Sequence, residues 1–306
     1  FIKIFSPKVL ILIETEIWPN IICEANKRNI KVVLASARLS SKSLKKFLFF
    51  KSLSCHVLNK ISAVLVQTNC DAKNFKYAGF KKKPLTLGNL KFDISLDEKK
   101  IQTGKIWREK IIKKYIWLAL STREGEEKNI LQAWLEKGNK NDLLILLPRH
   151  PERFQKVFIH ARNLGFKVKK KSFIKTNFID EKNLAESDVL IGDSLGEVQF
   201  YISMSDLILI GGSINNLGGQ SPIDACAQGK PVFFGKNMYN FSSVANELVC
   251  SGGGIEIKDY NLWITIGNKL LINKGLYNKT SCASRSVFSN NQGASEKIVE
   301  NIEKIV

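Results

Sequence analysis

With 306 residues the chain has room for about two domains of ordinary size. Its 44% hydrophobic content excludes a disordered chain, and no apolar run approaches the ~18 residues of a membrane span. The net charge of +19, from 47 Lys and Arg against 28 Asp and Glu, calls for an anionic partner: nucleic acid, a membrane surface or a phosphorylated substrate. A genome rich in A and T raises Lys, Asn and Ile together, which is the bland source of the same excess.

In chain order, short β-rich runs at residues 9–13, 32–36, 63–67 and 85–88 alternate with amphipathic segments. One of these segments, residues 44–53 (LKKFLFFKSL), is expected to form a helix. There Lys45, Lys46 and Lys51 flank an apolar face with Phe47, Phe49 and Phe50. Such a face either lies in a membrane interface or packs on the sheet. A lysine-rich stretch near residues 97–105 separates this half from the next. The pattern then restarts with runs at 116–120, 143–147, 189–192, 207–211 and 231–234. Apolar runs without polar alternation suit parallel strands covered on both faces, with helices as crossovers. Two doubly wound α/β domains are therefore expected, 1–96 and 97–306. The chain opens on Phe rather than Met and runs almost at once into a strand. The expectation is a fragment whose first domain is incomplete.

The six cysteines are scattered without a CxxC, and only three His are present. That speaks against a zinc centre and for a reducing compartment. No DxD triplet occurs, and neither a nucleic-acid motif nor a strip of alternating basic and aromatic residues is found.

Ligands of doubly wound sheets bind beyond the carboxyl ends of the strands. Polar and glycine-rich turns stand just after the apolar runs here. The most informative is GGSINNLGGQSPIDACAQGKPVFFG at 211–235. Gly211 and Gly212 permit close approach of a ligand to the backbone. Ser221 is expected to cap the following helix, with Pro222 at its first position and Asp224 at its third. The helix start then offers unpaired N–H groups to an anion, or is simply a well-capped helix.

Seven motifs in order resemble those of bacterial 3-deoxy-D-manno-octulosonic acid (Kdo) transferases, across nearly the whole chain. They are ETEIWPN (14–20), ARLS (37–40), GNLKFD (88–93), STREGEE (121–127), PRHPERF (148–154), GDSLGE (192–197) and GGQSPID (218–224). The resemblance implies a GT-B glycosyltransferase, two Rossmann-like domains facing a cleft. It implies CMP-Kdo as donor, lipid IVA as acceptor, inversion at the anomeric centre and release of CMP. It implies work at the cytoplasmic face of the inner membrane as a peripheral protein on an anionic surface, with no cofactor, metal or nucleic acid.

Roles follow position by position from that resemblance. Pro148 and Arg149 match a donor-site Pro-Arg, the arginine holding a phosphate or the Kdo carboxylate. Leu195, Gly196 and Glu197 match a Met-Gly-Glu lining the CMP pocket, although Glu197 is equally placed to cap the next helix. Ser221, Pro222, Ile223 and Asp224 match an Asn-Pro-Leu-Glu that holds the nucleotide, with Asp224 toward the ribose hydroxyls. Glu14 and Lys91 match two positions thought to stabilise the transition state, and Glu16 shares the face of Glu14 if that segment is extended. The family's general base belongs to a Gly-Glu turn that would precede Phe1. Three departures stand out: Gln220 and Ser221 for His-Asn, Asp224 for Glu, and Arg123 for a common His. A UDP-sugar transferase of the same fold and a non-catalytic remnant are the alternatives.

Overall fold

The computed structural model describes residues 2–174, 184 and 186–306. The chain forms two compact units, Phe1–Ile94 with Asn291–Val306, and Ser95–Asn290.

The first unit is a parallel sheet in the order β1 (Val9–Ile13), β2 (Lys31–Ala37), β3 (Ala63–Val66), β4 (Leu85–Thr86). Central β2 is buried from Val32 to Ala37, as a strand covered on both faces must be. On one side Val32, Leu34 and Val64 pack with Ile22, Ala25, Val57, Leu58 and Phe75 from the crossover helices. On the other, Val33, Ala35 and Leu65 receive Ile298 and Ile302 of the last helix, Ala294–Glu303. Edge strand β1 departs from two-sided burial: Ile11 and Ile13 are about half exposed.

The last helix corrects the expected division of the chain. A domain running from 97 to 306 is not what forms, because residues 291–306 belong with the first unit. The tie is polar as well as apolar. Asp93 accepts the backbone N–H groups of Gly293 (2.7 Å) and Ser295 (2.6 Å), capping the helix from two hundred residues away. Burial raises the Asp93 pKa, but hydrogen bonds from Ser295, Gly293 and Ala294 outweigh it and hold the carboxyl below its ordinary value. The lysine-rich stretch near residues 97–105, expected to separate the two halves, is itself helical. Asp97 caps the helix Glu98–Lys110, whose Gly104 lies against Ser203 so closely that a Cβ would come within 2.7 Å of the serine Cβ.

The 44–53 segment is not one helix. It breaks at Phe50 into Ser41–Phe49 and Lys51–Leu58. Leu44 and Phe47 turn toward the core, whereas Phe49 and Phe50 are 81% and 60% exposed with their rings edge to face.

The second unit is a seven-stranded parallel sheet in the order β11-β10-β9-β5-β6-β8-β7. Its strands are β5 (Ile116–Thr122), β6 (Leu143–Pro148), β7 (Val168–Lys170), β8 (Val189–Ile191), β9 (Leu207–Ile210), β10 (Val232–Phe234) and β11 (Gly254–Glu256). The core centres on Trp117, flanked edge to face by Trp134 and Trp263 at 5.6 and 5.4 Å. Gly267 leaves the space that the Trp117 ring enters. β7 and β11 were not expected from the sequence. Both are three-residue edge strands, and an edge needs no continuous apolar run. The chain order turns back between β5 and β9, so the switch point of the sheet lies there.

Replacing Asp93 by Ala is expected to lower stability by about 1 kcal/mol, the usual worth of a cap. Because the folded pKa is depressed, that difference is complete above the unfolded value near 3.9 and fades as pH falls through the folded value. Urea unfolding of both chains between neutral and acid pH measures it.

Candidate active site

In the second unit the polar turns gather at one edge of one sheet. The next-to-last residue of β5, Ser121, is in the left-handed region (φ 55°), and β9 runs directly into Gly211 and Gly212 (φ 69°). Gly211 lies against the Ser121 backbone, where a Cβ would sit 2.7 Å from the Thr122 Cα. Only glycine lets these two strand ends approach so closely. Glu126, almost wholly buried, locks the turns together. One carboxylate oxygen accepts from the N–H groups of Arg123 (2.8 Å) and Gly212 (2.7 Å), and the other from the Tyr260 hydroxyl (3.1 Å). Burial raises the Glu126 pKa, and the three hydrogen bonds act against that rise. The next residue, Glu127, accepts from Thr122 (2.8 Å) and pairs with Arg153 (2.6 Å).

The loop leaving β9 is fastened on its other side too. The Ser213 hydroxyl donates to the Ile210 carbonyl and accepts from the Gly235 N–H (2.9 Å) at the end of β10. Gly218 and Gly219, both with positive φ, fold closely beneath Asn240 and Met238. This held loop delivers Ser221, Pro222, Ile223 and Asp224. The helix that follows spans only Ile223–Ala227, with Pro222 at its cap position and no side-chain cap. Ser221 Oγ accepts the Ile223 N–H at 3.3 Å. The expected capping by Ser221 and the third position for Asp224 are therefore each displaced by one residue. Asp224 closes no capping box: its carboxylate accepts from Gln199 Nε2 (3.0 Å).

At the same edge, Pro148 ends β6 and Arg149 follows it. The Arg149 backbone N–H donates to Thr122 O (3.0 Å), while its exposed guanidinium has no side-chain hydrogen bond or ion pair among the described residues. After β8, Leu195 is 68% exposed, and Gly196 (φ 74°) has open space where a Cβ would stand. Glu197 holds the cap position of the helix Val198–Met204, but its side chain makes no capping bond. It pairs instead with Lys171 (2.8 Å). Burial raises the Glu197 pKa, and the bonds from Lys171 and Ser194 more than reverse that.

In the first unit the carboxyl edge holds Glu14 and Lys91. Glu14 follows β1 in the left-handed region (φ 59°), a conformation disfavoured for a residue bearing a Cβ. Its N–H is held by Ala35 O (3.0 Å). Lys91 lies on the short turn Leu90–Phe92, fixed by Asn89, whose side chain accepts the Lys91 N–H (3.0 Å), and by Ser36, whose hydroxyl accepts the Leu90 N–H (3.3 Å). The two side chains meet in a 2.6 Å ion pair, half exposed. Glu16 does not join them. The 14–17 segment turns rather than extends, and Glu16 accepts from the Trp18 indole N–H (2.7 Å).

Comparison with known proteins gives a consistent answer. The family profile described as 3-Deoxy-D-manno-octulosonic-acid transferase (kdotransferase) matches residues 1–94. The 3-deoxy-D-manno-octulosonic acid transferase of Haemophilus influenzae is 32% identical over 308 residues, covering 98% of this chain and 70% of the relative. That of Bordetella pertussis is 30% identical, covering 99% and 70%. The chain belongs to the Kdo transferase family.

Among solved structures, the chain is similar to the C-terminal CMP-Kdo binding domain of WaaA from Acinetobacter baumannii. The TM-score is 0.56 at 22% identity, over 62% of this chain and 98% of that one. It is also similar to UDP-GlcNAc 2-epimerase from Neisseria meningitidis, with TM-score 0.58 and 16% identity over 99% and 78%. At those identities the likeness shows the fold alone, and the fold is the GT-B type expected of this family.

The sequence marks the turns of this Kdo transferase family member but not their partners. Lys171 stands 26 positions from Glu197, and Gln199 stands 25 from Asp224. Neither carries a local signal, since each pairing exists only once the strands between are laid side by side. Glu126 lies within STREGEE, a motif that by itself gives no sign of its task.

Glu126→Ala strands two backbone N–H donors inside the fold. The expected loss is at least about 2 kcal/mol, from ~1–3 kcal/mol for each unsatisfied buried donor. A shift of the urea midpoint measures it, and an unchanged midpoint contradicts the role.

Proposed function

We propose that this chain transfers Kdo from CMP-Kdo to the lipid A precursor lipid IVA, inverting the anomeric centre and releasing CMP. The observation that carries the reading is Arg149. An exposed guanidinium without a protein partner among the described residues stands at the strand edge where such sheets take their ligands. A guanidinium recognises phosphate and carboxylate in the same forked geometry, and CMP-Kdo bears both. The Acinetobacter domain of similar fold is a CMP-Kdo binding domain, which supports the same donor here.

The remaining donor groups take roles that their surroundings support. Gln199 orients the Asp224 carboxylate, leaving it able to accept from the ribose hydroxyls. The open space at Gly196 suits a flat base against the backbone, bordered by Leu195 and Glu197. Pro148, Ser221, Pro222 and Ile223 shape the walls. Lys91 takes the role of offsetting the negative charge that develops on departing CMP, and Glu14 that of offsetting the positive charge on the sugar. Their ion pair keeps both charges aligned in the free protein. The leaving phosphate is thus assigned to cations of the chain, with no metal cofactor.

The acceptor is a lipid, so the same reading sets the enzyme on the cytoplasmic face of the inner membrane. Phe49 and Phe50 project among Lys45, Lys46 and Lys51, as a surface-seeking element does. No helix among the described residues is long and apolar enough to cross a membrane.

Calorimetry with CMP is expected to detect binding, with UDP much weaker. Arg149→Ala and Asp224→Ala each lower CMP affinity about ten- to hundredfold, the worth of one charge-assisted contact. Equal affinity for UDP, or no change in either variant, overturns the donor assignment.

Lys91→Met is expected to lower kcat for Kdo transfer by roughly 10²–10³-fold. Its urea midpoint stays near that of the parent, because a half-exposed pair adds little to stability. An unchanged kcat removes Lys91 from the reaction.

A further inference from the structure

A groove of about 600 Å³ opens in the first unit between the helix Asn69–Tyr77 and edge strand β4. Ala72, Tyr77 and Leu85 form an apolar floor, and Lys73, Lys76 and Lys83 stand around it. Tyr77 is 66% exposed and Leu85 37%, so large apolar groups lie open to solvent beside three cations. The Lys76 ammonium is tethered to the Lys81 carbonyl (2.9 Å), whereas those of Lys73 and Lys83 have no acceptor among the described residues.

The charge around the groove is one-sided. From residue 41 to residue 91 the sequence holds eleven lysines and a single acid, Asp71. Asp71 is buried, and its carboxylate is already engaged by the Leu39 N–H and the Thr68 hydroxyl. No carboxylate from this stretch therefore competes for the cations. Lysines alone are an ordinary guard for an edge strand. A guard does not require a hollow between them with tyrosine and leucine at its base. Cations around an apolar hollow match a phosphate with alkyl chains beneath it.

We infer that this groove holds one anionic phospholipid of the bilayer, the lysines on its phosphate and Tyr77 and Leu85 against the start of its acyl chains. The site is separate from the donor turns, and the inference stands whether or not the donor assignment does.

The test is a titration of the isotope-labelled chain, followed by NMR, with dihexanoyl-phosphatidylglycerol below its micellar concentration. Parallel arms use dihexanoyl-phosphatidylcholine, inorganic phosphate and a single-stranded oligonucleotide. The expected result is saturable binding of the glycerol lipid with shifts centred on residues 72–86, and much weaker binding in the other arms. Lys73→Gln with Lys83→Gln weakens it roughly thirtyfold, from the loss of two surface cations, and Tyr77→Ser also weakens it. All these side chains are exposed, and an unchanged urea midpoint verifies that the variants fold. Equal binding of the choline lipid, phosphate alone binding as well, displacement by the oligonucleotide, or an unaffected double variant each overturns the inference. CMP affinity, measured on the same samples, is expected to stay constant, which keeps this outcome apart from that of the donor site.

Discussion

The second unit depends on one buried carboxylate. At the switch point two strands diverge in chain order, and their ends must turn away without a ladder to satisfy their N–H groups. Glu126 supplies the missing acceptor for both turns, from Arg123 on one side and Gly212 on the other. Its burial is unfavourable for the charge and raises its pKa, and the hydrogen bonds, together with its place in the first turn of the helix Glu126–Lys137, offset only part of that. The loop from Gly212 onward is then aimed before any ligand arrives. Such preorganisation matters because a loose loop would have to be ordered at the expense of binding energy.

The first unit solves a similar problem with backbone strain rather than a buried acid. Glu14 occupies a left-handed conformation immediately after β1, and Ser36 does so near the end of β2. Gln67 donates to the Ser36 carbonyl (3.0 Å), and the Ser36 hydroxyl accepts from Leu90. Three strand ends are thereby joined to the turn that carries Lys91. The pair Glu14–Lys91 is itself weak, being half exposed. Its geometry is determined by the backbone beneath it, so the charges are held in place and remain available.

Charge is distributed with the same economy. The acids of the second unit's turns are largely occupied: Glu126 and Glu127 by strand ends and Arg153, Glu197 by Lys171, Asp224 by Gln199. Arg149 is left without such a partner among the described residues. In the first unit the lysines of residues 41–91 far outnumber the acids, and most of them are exposed. The excess charge of the chain is therefore not a uniform coat. Part of it is concentrated on one compact unit, beside exposed Phe49, Phe50 and Tyr77.

What the sequence by itself determined was the alternation of buried strands with crossovers and the position of the polar turns. Strands such as β2, β5, β6 and β9 are covered on both faces, so they must be uninterrupted apolar runs, and such runs are visible one residue at a time. Ordered motifs on those turns were enough to indicate the family. Tertiary structure alone decided the rest. Edge strands β7 and β11 have little apolar signature, because one side of each has no neighbour to demand it. The helix Ala294–Glu303 belongs to the first sheet through Asp93, Val33 and Leu65, none of them near it in sequence. The partners of Glu14, Glu126, Glu197 and Asp224 are likewise distant along the chain. Periodicity reports which face of an element is buried. It does not report which element will cover that face, or which side chain will arrive at hydrogen-bond distance.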